Sequence, residues 1–292
     1  MTNSSVFVQR IQALLSTESC TADTFLLKYI STQGRVLSPG VFENQTELQL
    51  TGDGHLQIFR RKNSGEQVEP APGHFTGSIT KAEIDKLLSA LLGSEDWPAI
   101  ESLPSPLDTH HRLHLNIGGE ITVVTWGSLS PNDFLVRQEL LNPLFNMLTH
   151  SSLKARWAIY LKIKAVNPIN NGLAIVAELS NQGNSDILVV NPHADQSHAV
   201  ITAAYGSKPI VEPGITPLPI EIFHSEGLLK TPGKTIQNLP PGDTLTFNVA
   251  FDIPPETPNF LLKITYRQHA LSDSFFGKPL FQGEAYSAEW SA

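Results

Sequence analysis

Residues 111–126 read HRLHLNIGGEITVVTW, in which two alternating runs of apolar and polar residues flank Gly118-Gly119. Successive residues of a β-strand point to opposite faces, and paired glycines accept the positive φ angles of a two-residue hairpin turn. The stretch therefore predicts a β-hairpin with strands near residues 111–117 and 120–126.

A second strand pair and a helix are predicted before this hairpin. The strands are expected at residues 47–50 and 55–60, joined by a turn at residues 51–54. Further along, Thr80 and Glu83 have the spacing of a capping box, in which two side chains satisfy each other's backbone N–H groups at a helix start. We expect a helix to begin there.

Two further helical patterns complete the first half of the chain. Residues 4–16 place apolar side chains at helical spacing, and Ser130-Pro131 is a typical helix start. Asn142 is expected to cap a restart of this last helix, because Pro143 interrupts it. We therefore expect residues 1–150 to form an α+β domain in the order strands, helix, hairpin, helix.

The second half of the chain has a different pattern. Short apolar segments are separated by clusters of turn residues, without helical periodicity. Strands are predicted at residues 157–166, 173–181, 187–190, 220–224, 244–253, 260–266 and 284–290. This pattern predicts an antiparallel β-sandwich over residues 155–292, reached by a linker at residues 150–155.

Two motifs in this half carry a family resemblance. Leu179-Ser180-Asn181-Gln182-Gly183-Asn184 precedes an apolar strand, and Leu239-Pro240-Pro241-Gly242-Asp243 leads into the alternating run at residues 245–249. Both resemble turns of bacterial immunoglobulin-like domains. The resemblance implies an all-β immunoglobulin-like sandwich, and it says little about function.

The order of elements in the first half resembles that of the emfourin-type inhibitors of bacterial metalloproteases. The similarity covers a strand pair, a helix, a Gly-Gly hairpin and a final helix over residues 46–149. Gly52-Asp53-Gly54 stands where those inhibitors have a Gly-Gly turn. The resemblance implies protease inhibition, and no inhibitory residue is carried over.

Charge and composition narrow the class of partner. The chain has 20 Lys and Arg against 28 Asp and Glu, for a net charge of −8. An acidic protein repels phosphate, so we expect no nucleic-acid partner. The charge suits a basic protein partner, although solubility alone also explains it.

Cysteine use and hydropathy point to a cytoplasmic protein. Cys20 is the single cysteine, which excludes an intramolecular disulfide and fits a reducing compartment. The first residues lack the basic and apolar regions of a signal peptide, and no run approaches 18 apolar residues. We therefore expect neither export nor membrane insertion.

Three histidines, His110, His111 and His114, are candidate metal ligands. On a helix, His110 and His114 would share a face, as ligands of one ion must. On the predicted strand, His110 and His114 would instead share a polar, solvated face with Arg112 and Asn116. A metal-dependent enzyme using the three histidines is therefore kept as an alternative.

Other patterns do not predict catalysis. Ser-x-x-Lys spacings begin at Ser78 and Ser151 without their partner motifs, and Gly233-Lys234-Thr235 lacks the earlier glycine of a phosphate-binding loop. We expect no enzymatic activity and no cofactor.

The chain as a whole resembles a bacterial toxin immunity protein. We therefore expect a cytoplasmic protein that binds and neutralises a protein partner, a toxin or, alternatively, a protease. Recognition usually lies in loops on a rigid scaffold. The residues expected to contact the partner are Asp53, Arg60, Arg61, Glu66, Glu69, Glu95, Asp96 and Trp97.

Overall fold

The chain is rich in β-strands and contains a large antiparallel sheet. The computed structural model describes residues 3–18, 20–38, 41–61, 71–93, 110–126, 142–169, 172–192, 199–206, 219–220, 236–252, 261–268, 274–275, 278–279, 281, 283–287 and 290–291. The chain divides into two compact units. The first comprises Met1–Arg60 and His74–Lys154, and the second comprises Arg61–Gly73 and Ala155–Ala292.

The first unit combines helices with one antiparallel sheet. Its elements are α1 (Asn3–Ser16), β1 (Phe25–Ser38), β2 (Val41–Thr51), β3 (His55–Arg60), β4 (Gly73–Ser78), α2 (Lys81–Gly93), β5 (His110–Ile117), β6 (Glu120–Trp126) and α3 (142–148). The strands follow the order β4-β3-β2-β1-β5-β6. Among the residues that the structure describes, no helix has the length and apolar character needed to cross a membrane.

The core of this unit lies between the helices and one face of the sheet. Alternate residues of β1, β2, β3 and β5 are buried, as the period of two predicts. They are Phe25, Leu27, Tyr29, Leu48, Leu50, Leu56, Ile58, Leu113, Leu115 and Ile117. The helices contribute Ile11, Leu14, Ile84, Leu87, Leu88, Leu91, Leu144 and Met147 to the same cluster.

The predicted capping box forms at the start of α2. The backbone N–H of Thr80 donates to Glu83 Oε2 over 2.7 Å, and that of Glu83 donates to Thr80 Oγ1 over 3.3 Å. His150 Nε2 lies 2.9 Å from Glu83 Oε1. The backbone and hydroxyl hydrogen bonds from Thr80, followed by that of His150, hold the pKa of Glu83 at about 2. The cap therefore also links α2 to the turn after α3.

The predicted Gly-Gly hairpin also forms. Gly118 and Gly119 have φ angles of 57° and 87°, which side chains with a Cβ rarely adopt. Arg10 of α1 donates from Nη1 to the carbonyls of Ile117 and Gly118 over 2.9 and 3.1 Å. Its Nε lies 3.3 Å from a carboxylate oxygen of Glu120. The N-terminal helix is thereby attached to the hairpin tip.

The second unit consists of strands in its described parts. They are β7 (Lys154–Ile169), β8 (Gly172–Asn181), β9 (Ile187–Val190), β10 (Ala199–Gly206), β11 (Pro219–Ile220), β12 (Ile236–Leu239), β13 (Thr244–Asp252), β14 (Leu261–Gln268), β15 (Ser274–Phe275), β16 (Lys278–Pro279), β17 (Gly283–Tyr286) and β18 (Trp290–Ser291). One set runs β13-β8-β7 and another β11-β10-β14-β17, with β18 also beside β14, while β12 pairs with β9 and β15 with β16.

An aromatic cluster connects the two larger strand sets of this unit. Phe247 of β13 and Tyr266 of β14 stack with ring centroids 6.1 Å apart. Phe281 stacks on Tyr266 at 5.9 Å and meets Trp157 of β7 edge to face at 6.1 Å. The Tyr266 hydroxyl donates to the carbonyl of Val190 over 2.8 Å. The residues from different strands therefore share one core.

Asn181 connects the two turn motifs of this unit. Its side chain is fully buried, and Nδ2 donates to the carbonyls of Ser185 and Leu239 over 2.8 and 3.0 Å. Its Oδ1 accepts the backbone N–H groups of Gly183 at 3.0 Å and Ala158 at 3.4 Å. One amide thus satisfies four backbone groups from three segments of the chain, namely the turn at residues 183–185, β7 and the end of β12.

The unit boundaries differ from the predicted linker in one respect. The first unit ends at Lys154, next to the predicted linker, and β7 already begins there. Residues 61–73 belong to the second unit, because the backbone N–H of Ile159 donates to the carbonyl of Pro72 over 3.0 Å. Sequence patterns did not predict that residues 61–73 belong to the second unit, because this assignment depends on pairing between residues that are distant in sequence.

Some predicted elements fall partly or wholly outside the described residues. The helix expected from Ser130-Pro131 is described only as α3, and the strand expected at residues 220–224 only at its first residue. Conversely, β10 and β12 were not predicted. Their strand conformation is set by pairing with β14 and β9, which no local alternation indicates.

We predict that Asn181→Ala destabilises the protein by about 3 kcal/mol, because it leaves several buried backbone groups without partners. The measurement is urea unfolding followed by circular dichroism. Asn184→Ala is the matched control in the same turn, since the Asn184 side chain is exposed and accepts its hydrogen bond from the Ser185 hydroxyl. We expect this control to change stability by less than about 0.5 kcal/mol. Equal effects of the two substitutions would contradict the role of Asn181.

Candidate protein-binding surface

The face of the first unit's sheet that points away from the helical core carries the candidate site. We call it the open face, because the side chains named below are exposed or partly buried, whereas Thr32 and Gln45, which follow on the same face by register, are buried. It comprises Leu26, Lys28, Ile30, Glu47, Gln49, Gln57, Phe59, Arg112, His114, Asn116, Ile121, Val123 and Thr125. Each of these alternates with a residue of the opposite face.

Strand register aligns these side chains into rows. One row runs Gln57, Gln49, Lys28, His114 and Val123 across β3, β2, β1, β5 and β6. Directly opposed residues in such rows are near neighbours, close enough for their side chains to contact one another. The adjacent row contains Phe59, Glu47, Ile30, Arg112 and Thr125.

The open face is locally cationic. Lys28 forms an ion pair of 3.1 Å with Glu47, while Arg112 is exposed. Desolvation, followed by the positive charges of Arg112 and Lys28, lowers the pKa of His114. A chain with a net charge of −8 therefore presents a surface of opposite sign here.

Apolar side chains lie beside these cations. Ile121 and Val123 of β6 are 66% and 44% exposed, among the most exposed large apolar residues that the structure describes. Ile30, Leu26 and Phe59 are partly buried on the same face. Exposed apolar groups next to an arginine are typical of protein-binding surfaces.

The structure separates the three candidate metal ligands. His114 and His110 lie on the open side of β5, four residues and about 13 Å apart along the strand. His111 points to the opposite side, where its Nδ1 shares a hydrogen bond of 2.8 Å with the Tyr29 hydroxyl. The interpretation of these histidines as one metal site is therefore wrong. Among the described residues, no cluster of His, Cys, Asp and Glu could hold a metal ion.

His111 and Tyr29 instead form a polar pair at the edge of the core, in which Tyr29 is buried and His111 is partly buried. Their rings stack with centroids 5.9 Å apart, and Phe145 meets Tyr29 edge to face at 6.4 Å. Burial raises the pKa of Tyr29 to about 12. Burial, followed by the charge of His110, lowers the pKa of His111 to about 4. Both side chains are therefore neutral at pH 7.

Three of the eight residues predicted to contact a partner, Asp53, Arg60 and Arg61, lie among the described residues. Asp53 is exposed at the β2–β3 turn, where it accepts hydrogen bonds from Thr51 Oγ1 at 2.5 Å and the His55 backbone at 3.3 Å. These hydrogen bonds, that of Thr51 first, lower its pKa. The Asp53 carboxylate thus stabilises the turn between β2 and β3. Glu66, Glu69, Glu95, Asp96 and Trp97 lie outside the described residues.

The two arginines predicted to contact a partner, Arg60 and Arg61, differ in burial. Arg60 is only 6% exposed, because its guanidinium donates to the carbonyl of Leu148 and lies 5.1 Å from the Phe75 ring centroid. This placement gives Arg60 a structural role, and its contact with a partner stays a prediction. Arg61 is partly buried and belongs to the second unit.

Sequence reasoning found part of the open face and missed the rest. The alternation of β5 placed Arg112, His114 and Asn116 on one polar, solvated face, as observed. Lys28 and Val123 were missed, because their position beside His114 depends on the register of β1 and β6. The one signal that could have placed Val123 on this face is the alternation of residues along β6.

Comparisons with known proteins do not assign the chain to a family. No family model and no curated protein matches it. Among solved structures, the thioester domain of the Enterococcus faecium TIE86 protein aligns with 94% of this chain and 98% of that domain. The identity is 8% and the TM-score 0.18, so the likeness carries no argument about fold or function.

We predict that His111 makes stability depend on pH between about 6.5 and 4. Because its pKa is about 4 in the folded protein and about 6.5 for a histidine of the unfolded chain, the unfolded chain binds a proton that the folded one does not. The free energy of unfolding should therefore fall as the pH decreases through this window, by at most about 1.4 kcal/mol per pH unit.

The measurement is urea unfolding at a series of pH values. His111→Gln should flatten the slope in this window, because glutamine does not titrate. His55→Gln makes the same exchange at an exposed histidine and serves as the matched control. Parallel slopes for wild type and His111→Gln would rule out this contribution.

Proposed function

We propose that this chain is a non-enzymatic, cytoplasmic binding protein that neutralises a protein partner, and specifically an immunity protein against a bacterial toxin. The observation that carries the proposal is the open face. It offers exposed apolar and cationic side chains on a sheet whose other face is fixed by a helical core. A preorganised surface loses little conformational entropy when a partner binds.

The chemistry of the open face defines the surface that it would fit. Arg112 is exposed beside Ile30, with Ile121 and Val123 on the neighbouring strand. Arginine binds carboxylates in a two-pronged geometry, and aliphatic side chains pack against apolar ones. The proposed partner therefore presents an acidic group within an apolar patch. This differs from the basic partner that the overall charge of the chain suits.

The proposal includes an α+β fold for the first unit and an immunoglobulin-like sandwich for the second. Support for the sandwich comes from the aromatic cluster of Trp157, Phe247, Tyr266 and Phe281, which joins strands of two sets. The hydrogen bonds of Asn181 join the two motifs that resemble bacterial immunoglobulin-like domains. In the proposal, the second unit stabilises the protein and the first unit binds.

Capture of the partner tests this proposal. Tagged wild-type protein is incubated with native lysate, and bound proteins are identified by mass spectrometry. We expect one protein at near-equal stoichiometry, retained by Lys86→Glu and lost by Arg112→Glu. Lys86 lies on α2, away from the open face, so the two variants make the same charge change on different surfaces.

The identity of the captured protein then decides between a toxin and a protease as the neutralised partner. A toxin whose expression arrests growth, and whose effect wild type but not Arg112→Glu prevents, would support the immunity role. A protease inhibited by the chain would replace it with the inhibitor alternative. Capture of the same partner by Arg112→Glu would refute the open face as the binding surface.

A further inference from the structure

Strand β6 lies at the end of the first unit's sheet. Among the described strands it pairs with β5 alone, and the register from His111–Trp126 to Ile117–Glu120 has no shift. A strand at an edge leaves a row of backbone N–H and C=O groups without sheet partners, which other strands can pair with.

The turn determines which groups of β6 point outwards. In a hairpin closed by a two-residue turn, the flanking residues exchange both hydrogen bonds, and bonded pairs then alternate along the strands. Ile117 and Glu120 flank Gly118-Gly119 here. The backbone groups of Glu120, Thr122 and Val124 therefore face β5, and those of Ile121, Val123 and Thr125 point away from it.

These outward-facing residues also carry exposed side chains. Ile121 is 66% and Val123 is 44% exposed, and Thr125 is exposed too. Natural edge strands are commonly protected by lysine, proline or a bulge. The segment from Glu120 to Trp126 contains no lysine or proline, and its pairing with β5 shows no bulge.

We propose that β6 pairs antiparallel with β6 of a second copy of this chain, with Val123 opposite Val123 of the second copy. In this register Ile121 lies opposite Thr125, so all three outward-facing residues form hydrogen-bonded pairs. The sheet of the first unit then continues from one chain into the other. This homodimer is independent of the proposed partner and goes beyond the proposed function.

The charges of β6 and its neighbours favour a second copy as the occupant. Glu120 is the charged residue of β6, and in this register it lies opposite Trp126 rather than opposite a like charge. Glu120 also forms an ion pair with Arg10 of its own chain. The Arg112 residues of the two copies would lie about 20 Å apart, beyond the Debye length of about 8 Å. The strand is therefore complementary to itself.

Molar mass in solution tests the dimer directly. Light scattering coupled to size-exclusion chromatography of the purified full chain should give twice the chain mass of 32.0 kDa, falling towards one chain mass on dilution. Val123→Lys should give one chain mass, because like charges then lie opposite each other. Ile169→Lys is the matched control, since Ile169 is 45% exposed on β7, and it should remain dimeric.

Cysteine pairing tests the register without relying on the lysine variant. In the proposed pairing the two Val123 Cα atoms are about 5.5 Å apart, within the range of a disulfide. Oxidised Val123→Cys should form covalent dimers. Ile121→Cys and Thr125→Cys should not do so alone, but a mixture of the two should. The native Cys20 is buried, so wild type is the control.

Each outcome decides the proposal. One chain mass for wild type at every concentration would overturn it, as would a dimer that survives Val123→Lys. Covalent dimers of Ile121→Cys alone, with none for Val123→Cys, would also overturn it. Because these experiments use the purified chain only, failure to find a cellular partner leaves their result unchanged.

Discussion

The alternation of strand residues between two faces is the constraint on which the first unit depends. Phe25, Leu27 and Tyr29 are at most 1% exposed because they face the helical core. Lys28 and Ile30 must then point to the other side. A slip of one residue in β1 would bury Lys28 and expose the core. The register that builds the core therefore also fixes the composition of the open face.

Local signals in the sequence predicted local structure well. The Gly118-Gly119 turn and the Thr80–Glu83 cap form as expected, because their geometry involves residues only a few positions apart. Local signals were not sufficient to predict which side chains share the open face. Its polar side on β5 follows from alternation, whereas its alignment with Lys28 depends on pairing between β1 and β5, which are far apart in sequence. Burial of Arg60 likewise depends on the distant Leu148 and Phe75.

Net charge and surface charge give different information about recognition. The chain carries −8 overall, and a field of that sign acts on a partner at long range. Contact depends on the groups at the surface itself, and on the open face these are Lys28 and Arg112 beside apolar side chains. Composition describes the average over 292 residues. It therefore gives no reliable indication of the chemistry at one face of one sheet.

The central position of β1 has a consequence for synthesis. β1 pairs on one side with β2, which follows it directly, and on the other with β5, where Thr32 meets a residue 78 positions later. Closing so long a segment is slow relative to forming a local hairpin. While the ribosome translates residues 52–117, β5 is not yet available to pair with β1. The nascent chain is therefore vulnerable to aggregation until the Gly-Gly hairpin emerges.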